Sequence, residues 1–281
     1  MLNFSHILGD NIKLFLDEDD LSKNFTHITS LPSTEVNCHL KIKDDLVLAG
    51  LPVFFEVFNY LLLEKMDYSK YLEFEGQSFT KGQNFQIDFK LPFNVALSGE
   101  RLALNLLQRC SSIATNTKQY VELVGDIKIL DTRKTTPGLR FLEKYAVNIG
   151  GGTNHRFAQT DAWMVKDNHK TFFGGVKKAI EFFQGQKTFY QPIIVEIHDL
   201  KELKTAYECG VKHFLLDNFS SEDIGHAVQI KKADMTYEVS GGIDLKNISG
   251  YCIKGVDAIS SGSLTYSAKP VDLSLKFSNH E

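Results

Sequence analysis

Cysteine is scarce in this chain, and the cysteines present stand far apart. None of them belongs to a CxxC pair. Structural zinc sites are usually built from closely spaced cysteine and histidine ligands, and disulfide frameworks are typical of small secreted proteins. The spacing therefore argues against both and favours reduced thiols in a cytosolic protein. The four cysteines are Cys38, Cys110, Cys209 and Cys252.

Long apolar runs are missing as well. No stretch approaches the ~18–20 apolar residues of a membrane-spanning helix. The short apolar run near the start has no basic segment before it and is interrupted by Gly9 and Asp10, which is not the pattern of a secretory signal. We therefore expect a cytoplasmic protein without a membrane segment.

A large excess of charge of one sign is also absent. The formal net charge is −4, which gives no reason to expect a nucleic acid or an anionic membrane as a partner. Residues 128–170 differ, because they contain eight Lys/Arg residues against four Asp/Glu residues and so carry a local charge of +4. A basic segment of this size in an acidic protein predicts a local site for small anions.

The sequence up to about residue 110 mixes helical and strand patterns. Apolar residues at 54, 55, 57, 58 and 61–63 indicate a buried helix, and the alternation of apolar and polar residues at 85–89 indicates a strand. Residues 99–115 have the periodicity of a helix, with Arg101 near its start.

From about residue 120, runs typical of β-strands alternate with amphipathic segments. One helix is expected after Asp199, which can cap it with Glu202 three residues on, and another is expected from Ser220 or Ser221. Such alternation indicates parallel βα units, either in an open doubly wound sheet or in a barrel. The six strand-like runs lie at 127–130, 162–165, 193–197, 213–216, 235–239 and 256–260.

Polar or glycine-rich residues lie at the end of almost every one of these runs. In a βα barrel the carboxyl ends of the strands share one face, and active sites form there. The pattern therefore favours a barrel with a site on that face. The residues concerned are Asp131, Arg133, Lys134, Lys166, Asp167, Asn168, His169, Glu196, Asp217, 240–242 and 261–263.

Two Ser-Gly motifs, at 240–242 and 261–263, follow the last two strands. Glycine permits close backbone approach, and free N–H groups beside it can bind phosphate. An ordinary turn between strand and helix is the structural alternative for each motif. Their place on the last two strands favours a phosphate site.

Two acids and a set of cations complete the candidate chemistry. Glu196 and Asp217 lie at neighbouring strand ends, where they can bind ribose hydroxyls, hold Mg²⁺ with a pyrophosphate or stabilise an oxocarbenium-like centre. An ion pair with a lysine is the structural alternative. The cations lie in loop positions near the glycines at 150–152 and suit carboxylates or phosphates. They are Arg133, Lys134, His155, Arg156 and Lys166.

Together these segments resemble the quinolinate phosphoribosyltransferase family, whose enzymes are also called carboxylating nicotinate-nucleotide pyrophosphorylases. The longest matching run is DTRKTTPGLR at 131–140, and the resemblance extends from about residue 25 to 276. Shorter matches are GER at 99–101, EKYAV at 143–147, GGGTNHR at 150–156, KDNH at 166–169, LLDNF at 215–219, SGGI at 240–243 and SGSLT at 261–265.

The resemblance implies an α/β fold with two domains. An N-terminal α/β sandwich is expected at 1–112, joined by the C-terminal tail at 268–281. An open, seven-stranded α/β barrel of the TIM-like type is expected at 113–267. A homodimer is implied as well, in which Arg101 is donated across the interface to the site of the other chain.

The resemblance also implies a reaction, in which phosphoribosyl pyrophosphate and quinolinate give nicotinate mononucleotide, pyrophosphate and CO₂ for NAD synthesis, with Mg²⁺. Lys134, Glu196 and Asp217 would be catalytic; Lys134 would reach toward the pyrophosphate and the two acids would bind the ribose or its metal. Arg101, Thr132, Arg133, His155, Arg156 and Lys166 would complete the substrate contacts. The 5′-phosphate would be bound by Ser240, Gly241, Gly242, Ser261, Gly262 and Ser263.

The chain departs from the family pattern at Ala158-Gln159, at Tyr266 and at His27, none of which is a predicted substrate contact.

Two alternative functions stay open. One is a related transferase of the same fold that acts on nicotinate or another base, including the branch associated with molybdenum transport. The other is a non-catalytic protein that binds a phosphorylated sugar. The number of cations argues against a monoacid, and the two acids argue against simple binding.

Overall fold

The computed structural model describes residues 4–19 and 29–278, so His27 lies outside the described residues. The chain forms two compact units, one of Met1–Asn116, Pro137–Gly150 and Ala268–Glu281, and the other of Thr117–Thr136 and Gly151–Ser267. The domain limits expected from the sequence, 1–112 with 268–281 and 113–267, remain predictions. Within the described ranges, no helix is long and apolar enough to cross a membrane.

A small antiparallel sheet forms the centre of the first unit. Its strand order is β11-β1-β4, so the strand nearest the C-terminus pairs with the one nearest the N-terminus. The strands of this unit are β1 (Glu35–Ile42), β2 (Leu46–Val47), β3 (Ser78–Phe79), β4 (Gln86–Pro92) and β11 (Leu273–Ser278), and the helices are α1 (Phe4–Glu18), α2 (Leu51–Leu61), most of α3 (Phe93–Val124) and α4 (Arg140–Ile149). Short 3-10 helices lie at Ser69–Phe74 and Lys81–Gln83.

Helix α2 is apolar around most of its circumference and is therefore buried on nearly all sides. Phe54 contacts Phe55 and Phe58 edge to face, and all three rings contact Phe89 of β4 edge to face or tilted. Glu75 stabilises the start of the helix, because its carboxylate accepts hydrogen bonds from the first backbone N–H groups there. The helix and the strand expected in this region are thereby confirmed.

A six-stranded parallel sheet forms the second unit, in the order β5-β10-β9-β8-β7-β6. The strands are β5 (Lys128–Leu130), β6 (Trp163–Val165), β7 (Ile193–Ile197), β8 (His213–Asp217), β9 (Thr236–Ser240) and β10 (Ala258–Ser260). The helices are α5 (Asp167–Phe173), α6 (Val176–Gln186), α7 (Leu200–Glu208), α8 (Ser221–Gln229) and α9 (Ser263–Tyr266), with a 3-10 turn at Ile248–Tyr251. All six predicted strands are present, within two residues of their expected limits.

A single parallel bridge between Leu130 and Thr153 extends the sheet beyond β5. It lies where the seventh strand of the expected open barrel would pair. Thr153 both donates to and accepts from the β5 segment, but pairing stops there because the next residues turn toward Asp131. The predicted α/β class, with a parallel sheet and a separate small sheet domain, is confirmed.

Side-chain caps fix where two of the helices after the strands begin. Asp199 accepts a hydrogen bond from the backbone N–H of Glu202 at 2.7 Å, and Ser220 accepts one from the N–H of Asp223 at 3.1 Å. Both caps satisfy N–H groups that have no partner within the helix. The predicted starts of α7 and α8 are therefore confirmed, and the strand ends before them are held at one edge of the sheet.

Candidate active site

A cavity of about 380 Å³ opens at the carboxyl ends of the parallel strands, and its walls come from the second unit. The structure brings together here all of the residues predicted to bind substrate, phosphate or metal except Arg101, which belongs to the first unit, and Ser263. Asp167, Asn168 and His169, which were also expected at a strand end on this face, do not line the cavity. The lining residues are Asp131, Thr132, Arg133, Lys134, His155, Arg156, Met164, Lys166, Glu196, Leu215, Asp217, Glu238, Ser240, Gly241, Gly242, Ile243, Ser260, Ser261, Gly262 and Tyr266.

Asp131, which directly follows β5, is fully buried and organises the neighbouring loop. One carboxylate oxygen accepts a hydrogen bond from the backbone N–H of His155 at 2.8 Å, and the other accepts one from Asn154 Nδ2 at 2.7 Å. A buried carboxylate needs such donors, because its desolvation is otherwise costly. Asp131 thereby fixes the backbone from which His155 enters the cavity.

Lys134 is held by backbone contacts on both sides. Its N–H donates to Thr132 Oγ1 at 3.0 Å, and its carbonyl accepts a hydrogen bond from Thr265 at 2.8 Å. A Cβ atom on Gly262 would come within 2.8 Å of Lys134 Cδ and 2.6 Å of the Tyr266 ring. The glycine therefore allows the lysine side chain to lie directly against the loop after β10.

Two guanidinium groups contribute positive charge to the cavity. Arg156 donates a hydrogen bond to the carbonyl of Ala162 at 3.0 Å. Burial lowers the pKa of Arg156, and the nearby charge of Arg133 lowers it further, while Asp161 partly offsets both. The Nε atom of Arg133 is buried and has no hydrogen-bond partner among the described residues. An anion in this part of the cavity would offset the two neighbouring positive charges and accept a hydrogen bond from Arg133 Nε.

Glu196, near the end of β7, is surrounded by partners. Lys166 Nζ lies 3.1 Å from Oε2, and His198 Nε2 lies 3.4 Å from Oε1. His198 also lies 2.7 Å from Asp167, whose carboxylate is 3.1 Å from Lys170 Nζ. Burial would raise the pKa of Asp167, but the hydrogen bonds and charges of Lys170 and His198 outweigh it and lower that pKa.

Three ligand atoms of Asp167, Glu196 and His198 lie within 4.8 Å of one another, a spacing that could hold a metal ion. Asp167 and Glu196 also lie at ion-pair distance from the ammonium groups of Lys170 and Lys166, and a histidine nitrogen is not a ligand that Mg²⁺ prefers. We therefore assign no separate metal to this three-residue cluster.

Asp217, the last residue of β8, is oriented at both carboxylate oxygens. Ser240 Oγ donates to Oδ1 at 2.6 Å, and Asn218 Nδ2 donates to Oδ2 at 2.8 Å. Asn218 is itself tied to β9, because its N–H donates to the carbonyl of Ser240 at 2.9 Å. The acid is thus positioned by residues of two neighbouring strand ends.

The loop after β10 uses its serine hydroxyls internally. Ser261 Oγ donates to the carbonyl of Ile243 at 2.6 Å and accepts from the N–H of Ser263 at 3.2 Å. Ser263 is buried and bonds weakly to Ile243 and to the Tyr266 hydroxyl. This explains why Ser263, although predicted as a phosphate ligand, does not line the cavity. Its contribution is to hold the loop.

Two family models together cover most of the sequence. The model described as quinolinate phosphoribosyl transferase, N-terminal domain, matches residues 23–111, and the model of the C-terminal domain matches residues 113–276. The chain belongs to the quinolinate phosphoribosyl transferase family.

Individual members agree with this assignment. A probable nicotinate-nucleotide pyrophosphorylase (carboxylating) of Bacillus subtilis is 38% identical over 245 residues, covering 86% of this chain and 84% of that protein. The human nicotinate-nucleotide pyrophosphorylase (carboxylating) is 38% identical over 237 residues, covering 82% of this chain and 78% of that protein. The crystal structure of NadC from Streptococcus pyogenes has a TM-score of 0.86 at 37% identity and covers 99% of this chain and 98% of that chain.

Two departures from the family pattern fall within the described residues. Tyr266 lines the cavity and is largely exposed, with its hydroxyl 3.3 Å from Ser263 Oγ. Ala158 lies in a tight turn in which its N–H donates to Asp161 Oδ2 at 2.9 Å. Tyr266 therefore places a phenol at the rim of the cavity. The turn held by Asp161 begins two residues after Arg156.

Two side chains in or beside the cavity of this quinolinate phosphoribosyl transferase fold, Asn218 and Glu238, were not predicted as site residues, and Asp131 was predicted at a strand end without an assigned role. Glu238 lies two residues before Ser240 on β9 and shares its face of the strand, because side chains alternate along a strand. That period of two was the available signal for Glu238. For Asp131 and Asn218 the signal was their position directly beside a predicted strand end.

Proposed function

We propose that this chain transfers the phosphoribosyl group of phosphoribosyl pyrophosphate to quinolinate and releases CO₂, which gives nicotinate mononucleotide for NAD synthesis. Membership of the quinolinate phosphoribosyl transferase family supports this reaction. The observation that carries it is a single cavity in which a set of cations, two acids and two Ser-Gly loops line the same space. Quinolinate and phosphoribosyl pyrophosphate together bring two carboxylates, a phosphate and a pyrophosphate, so their site must be cationic.

The base is held, in this proposal, by the cations near Arg156. Arg133, His155, Arg156 and Lys166 all line the cavity. Guanidinium groups bind planar carboxylates with paired hydrogen bonds, and the buried Nε of Arg133 has a hydrogen bond still to make. Two adjacent carboxylates on a pyridine ring match this number of cations better than one does.

The ribose and the leaving group lie, in this proposal, beside Lys134, Glu196 and Asp217. The pyridine nitrogen forms a bond to C1 of the ribose while the bond from C1 to the pyrophosphate oxygen breaks. Positive charge developing at C1 is stabilised by nearby carboxylates, and the departing pyrophosphate is stabilised by the ammonium group of Lys134. The orientation of Asp217 by two hydrogen bonds suits this role.

Mg²⁺ fits the same two acids by the chemistry of its donors. Glu196 and Asp217 offer oxygen ligands only, and Mg²⁺ is commonly bound by one or two carboxylates together with substrate phosphates. When bound with phosphoribosyl pyrophosphate, the ion would neutralise charge on the leaving group. Glu196 and Asp217 would hold it directly or through water.

Decarboxylation follows from the charge of the new nucleotide. Once the ring nitrogen carries the ribose, the ring is a pyridinium cation. The bond between C2 and the 2-carboxylate breaks to release CO₂, the electron pair remains on C2 next to the positive nitrogen, and C2 then takes up a proton. The 5′-phosphate stays at the loops 240–242 and 261–263. The glycine N–H groups of these loops would donate to it, because the Ser261 hydroxyl and the N–H groups of Ser261 and Ser263 already bond within the protein.

The decisive assay uses quinolinate labelled at its 2-carboxylate, with nicotinate tested in parallel. We expect equal amounts of labelled CO₂ and pyrophosphate, and a preference for quinolinate over nicotinate of several orders of magnitude. Nicotinate would leave buried cations without a partner, at a cost of several kcal/mol, and each ~1.4 kcal/mol corresponds to a tenfold change in affinity. Turnover of nicotinate without decarboxylation of quinolinate would indicate a related transferase, and binding without turnover a non-catalytic protein.

Two further proposals concern assembly and location. A homodimer in which Arg101 serves the site of the second chain is supported by the family pattern and by the exposure of Arg101 on α3, in the unit that does not line the cavity.

A cytoplasmic location is supported by the four cysteines, which carry no disulfide in the structure. Subcellular fractionation against a cytoplasmic marker checks the second proposal.

A further inference from the structure

We propose that Glu238 is a positioning residue that holds the His155 ring in the base-binding part of the cavity. Its carboxylate oxygen Oε2 lies 3.2 Å from His155 Nε2, and both side chains are almost buried, with 13% and 10% of their surface exposed. The two atoms are at ion-pair distance but are not aligned as a hydrogen bond. This inference rests on the proposed role of His155 in binding quinolinate.

Glu238 stands on the most firmly held part of the sheet. Its strand β9 lies between β8 and β10, and Glu238 is in register with Leu215 on one side and Ala258 on the other. A strand paired on both edges moves little, so a side chain that it carries is a precise support for a loop residue. His155, in contrast, lies on a loop after the single bridge at Thr153.

Two acids from different strand positions thus hold the two ends of His155. Asp131 accepts the hydrogen bond from its backbone N–H at 2.8 Å, and Glu238 faces its ring. The partner of a histidine nitrogen fixes the orientation and proton position of the ring. Together the acids would set the imidazole before the substrate arrives.

A second cavity, of about 520 Å³, lies on the other side of this contact. His155, Arg156 and Glu238 line both cavities and therefore separate them. The remaining wall of the second cavity is mostly apolar, including Leu130, Ile194 and Phe214, and burial there lowers the pKa of His213. Electrostatic attraction is larger in such surroundings than in water.

The second carboxylate oxygen of Glu238, Oε1, also indicates that Glu238 and His155 depend on each other. Glu238 Oε1 is buried and has no hydrogen-bond partner among the described residues. A buried carboxylate in this state depends on a neighbouring positive or proton-donating group. His155 is such a group at ion-pair distance, so removing the carboxylate should weaken the hold on the ring.

The sign of one measurement separates positioning from a simple field effect. Quinolinate is a dianion, and Glu238 is an acid in its binding site. If the acid acted only through its field, Glu238→Gln would make the cavity more positive and lower the KM for quinolinate. If it positions His155, the same substitution raises that KM. The carboxylate and the amide have nearly the same shape, so packing is preserved.

The experiment measures KM for both substrates in Glu238→Gln, in His155→Gln and in the double variant, with His213→Gln as the control. His213 lines the second cavity only and hydrogen-bonds Thr236 at 2.8 Å. We expect Glu238→Gln to raise the KM for quinolinate about tenfold, the loss of one charge-assisted contact, and to leave the KM for phosphoribosyl pyrophosphate within about twofold. The control should change neither.

The double variant completes the test. If Glu238 acts through His155, adding Glu238→Gln to His155→Gln should produce no further rise in the KM for quinolinate. An unchanged or lower KM in Glu238→Gln, an equal rise for both substrates, or full additivity in the double variant would each overturn the proposal. A His155→Gln variant with the wild-type KM would instead overturn the base-binding role of His155.

Discussion

Arg133 and Arg156 show how a residue can be placed for its ligand at some cost to the free protein. Burial lowers the pKa of Arg156 most, and the charge of Arg133 lowers it further, so each guanidinium group lies near a like charge. The Nε of Arg133 is buried without a hydrogen bond among the described residues. Such an arrangement gains from an anion, because paired charges replace opposed ones.

The first prediction at this scale concerns Lys134 and Arg156. Lys134→Ala or Arg156→Ala should lower kcat/KM at least tenfold, because loss of one partner from a desolvated charge pair costs roughly 2–5 kcal/mol. Steady-state kinetics with both substrates measures the effect, and a thermal melt checks the fold. Lys177→Ala is the matched control, since Lys177 is exposed on α6 and contacts only Glu181 at 3.9 Å among the ion pairs of the described residues. Near wild-type kinetics in either variant would remove that residue from the site.

Sequence patterns predicted most of the charged residues that line the cavity but not the residues that orient them. Charged residues that follow predicted strands can be identified in the sequence, and a parallel sheet brings the ends of those strands together. Glu238 was missed because it lies inside a strand, two residues before the conspicuous Ser-Gly-Gly run. For Ser263 the phosphate role stays a prediction, and a pattern could not show that its hydroxyl bonds back into the loop. Hydrogen-bond partners depend on side-chain geometry, which the spacing of residues does not contain.

Among the elements, the turn after β9 has the tightest steric requirement. Gly241 has φ +101°, and a Cβ atom there would lie 2.2 Å from Asn218 Oδ1 and 2.7 Å from Asn218 N. The backbone atom cannot move aside, because the Asn218 N–H bonds the carbonyl of Ser240. This close approach links the proposed phosphate loop to the group that orients Asp217.

Gly241→Ala should therefore lower the melting temperature and raise the KM for phosphoribosyl pyrophosphate more than Gly242→Ala does. Gly242 has φ +61°, and a Cβ there meets nothing within 4 Å, so alanine should cost only the ~1–2 kcal/mol of a left-handed conformation. Gly241→Ala adds the clash and displaces Asn218. Thermal melts and substrate kinetics of the two variants provide the comparison. Equal effects of the two substitutions would show that the contact with Asn218 is not important.

Element positions were predictable in the second unit because each βα unit repeats the same physical signals. Strands are short apolar runs, and Asp199 and Ser220 mark helix starts by side-chain caps that the structure retains. Helix α3 was predicted at 99–115 but extends over Phe93–Val124. Its additional turns contain polar residues such as Lys118 and Glu122, which form an exposed i,i+4 pair and weaken the apolar periodicity on which the prediction depended.

For the whole molecule, the charge distribution matches the proposed substrates. A chain of net charge −4 concentrates cations in residues 128–170, so anions are attracted to one region rather than to the whole surface. The second unit contributes all the residues that line the cavity. Arg101, exposed on α3 in the first unit, is the predicted site residue for which a second copy of the chain is proposed.

Complementation between two inactive variants tests that proposal. Arg101→Ala and Lys134→Ala should each be inactive alone. In a mixed dimer, one of the two sites combines the intact Arg101 of one chain with the intact Lys134 of the other, whereas the second site lacks both. After random exchange of an equal mixture, half of the dimers are mixed and about a quarter of all sites are intact. We therefore expect about a quarter of the wild-type activity to return.

Subunit exchange has to be measured independently, with the two variants carrying different affinity tags and the mixed dimer purified by both. The purified mixed dimer should then have about half of the wild-type kcat, because one of its two sites is intact, with an unaltered KM for quinolinate. If Arg101 acts within its own chain, each site of the mixed dimer retains one defect and no activity returns. Activity in the Arg101→Ala homodimer equal to that of the wild type would mean that Arg101 has no part in the site.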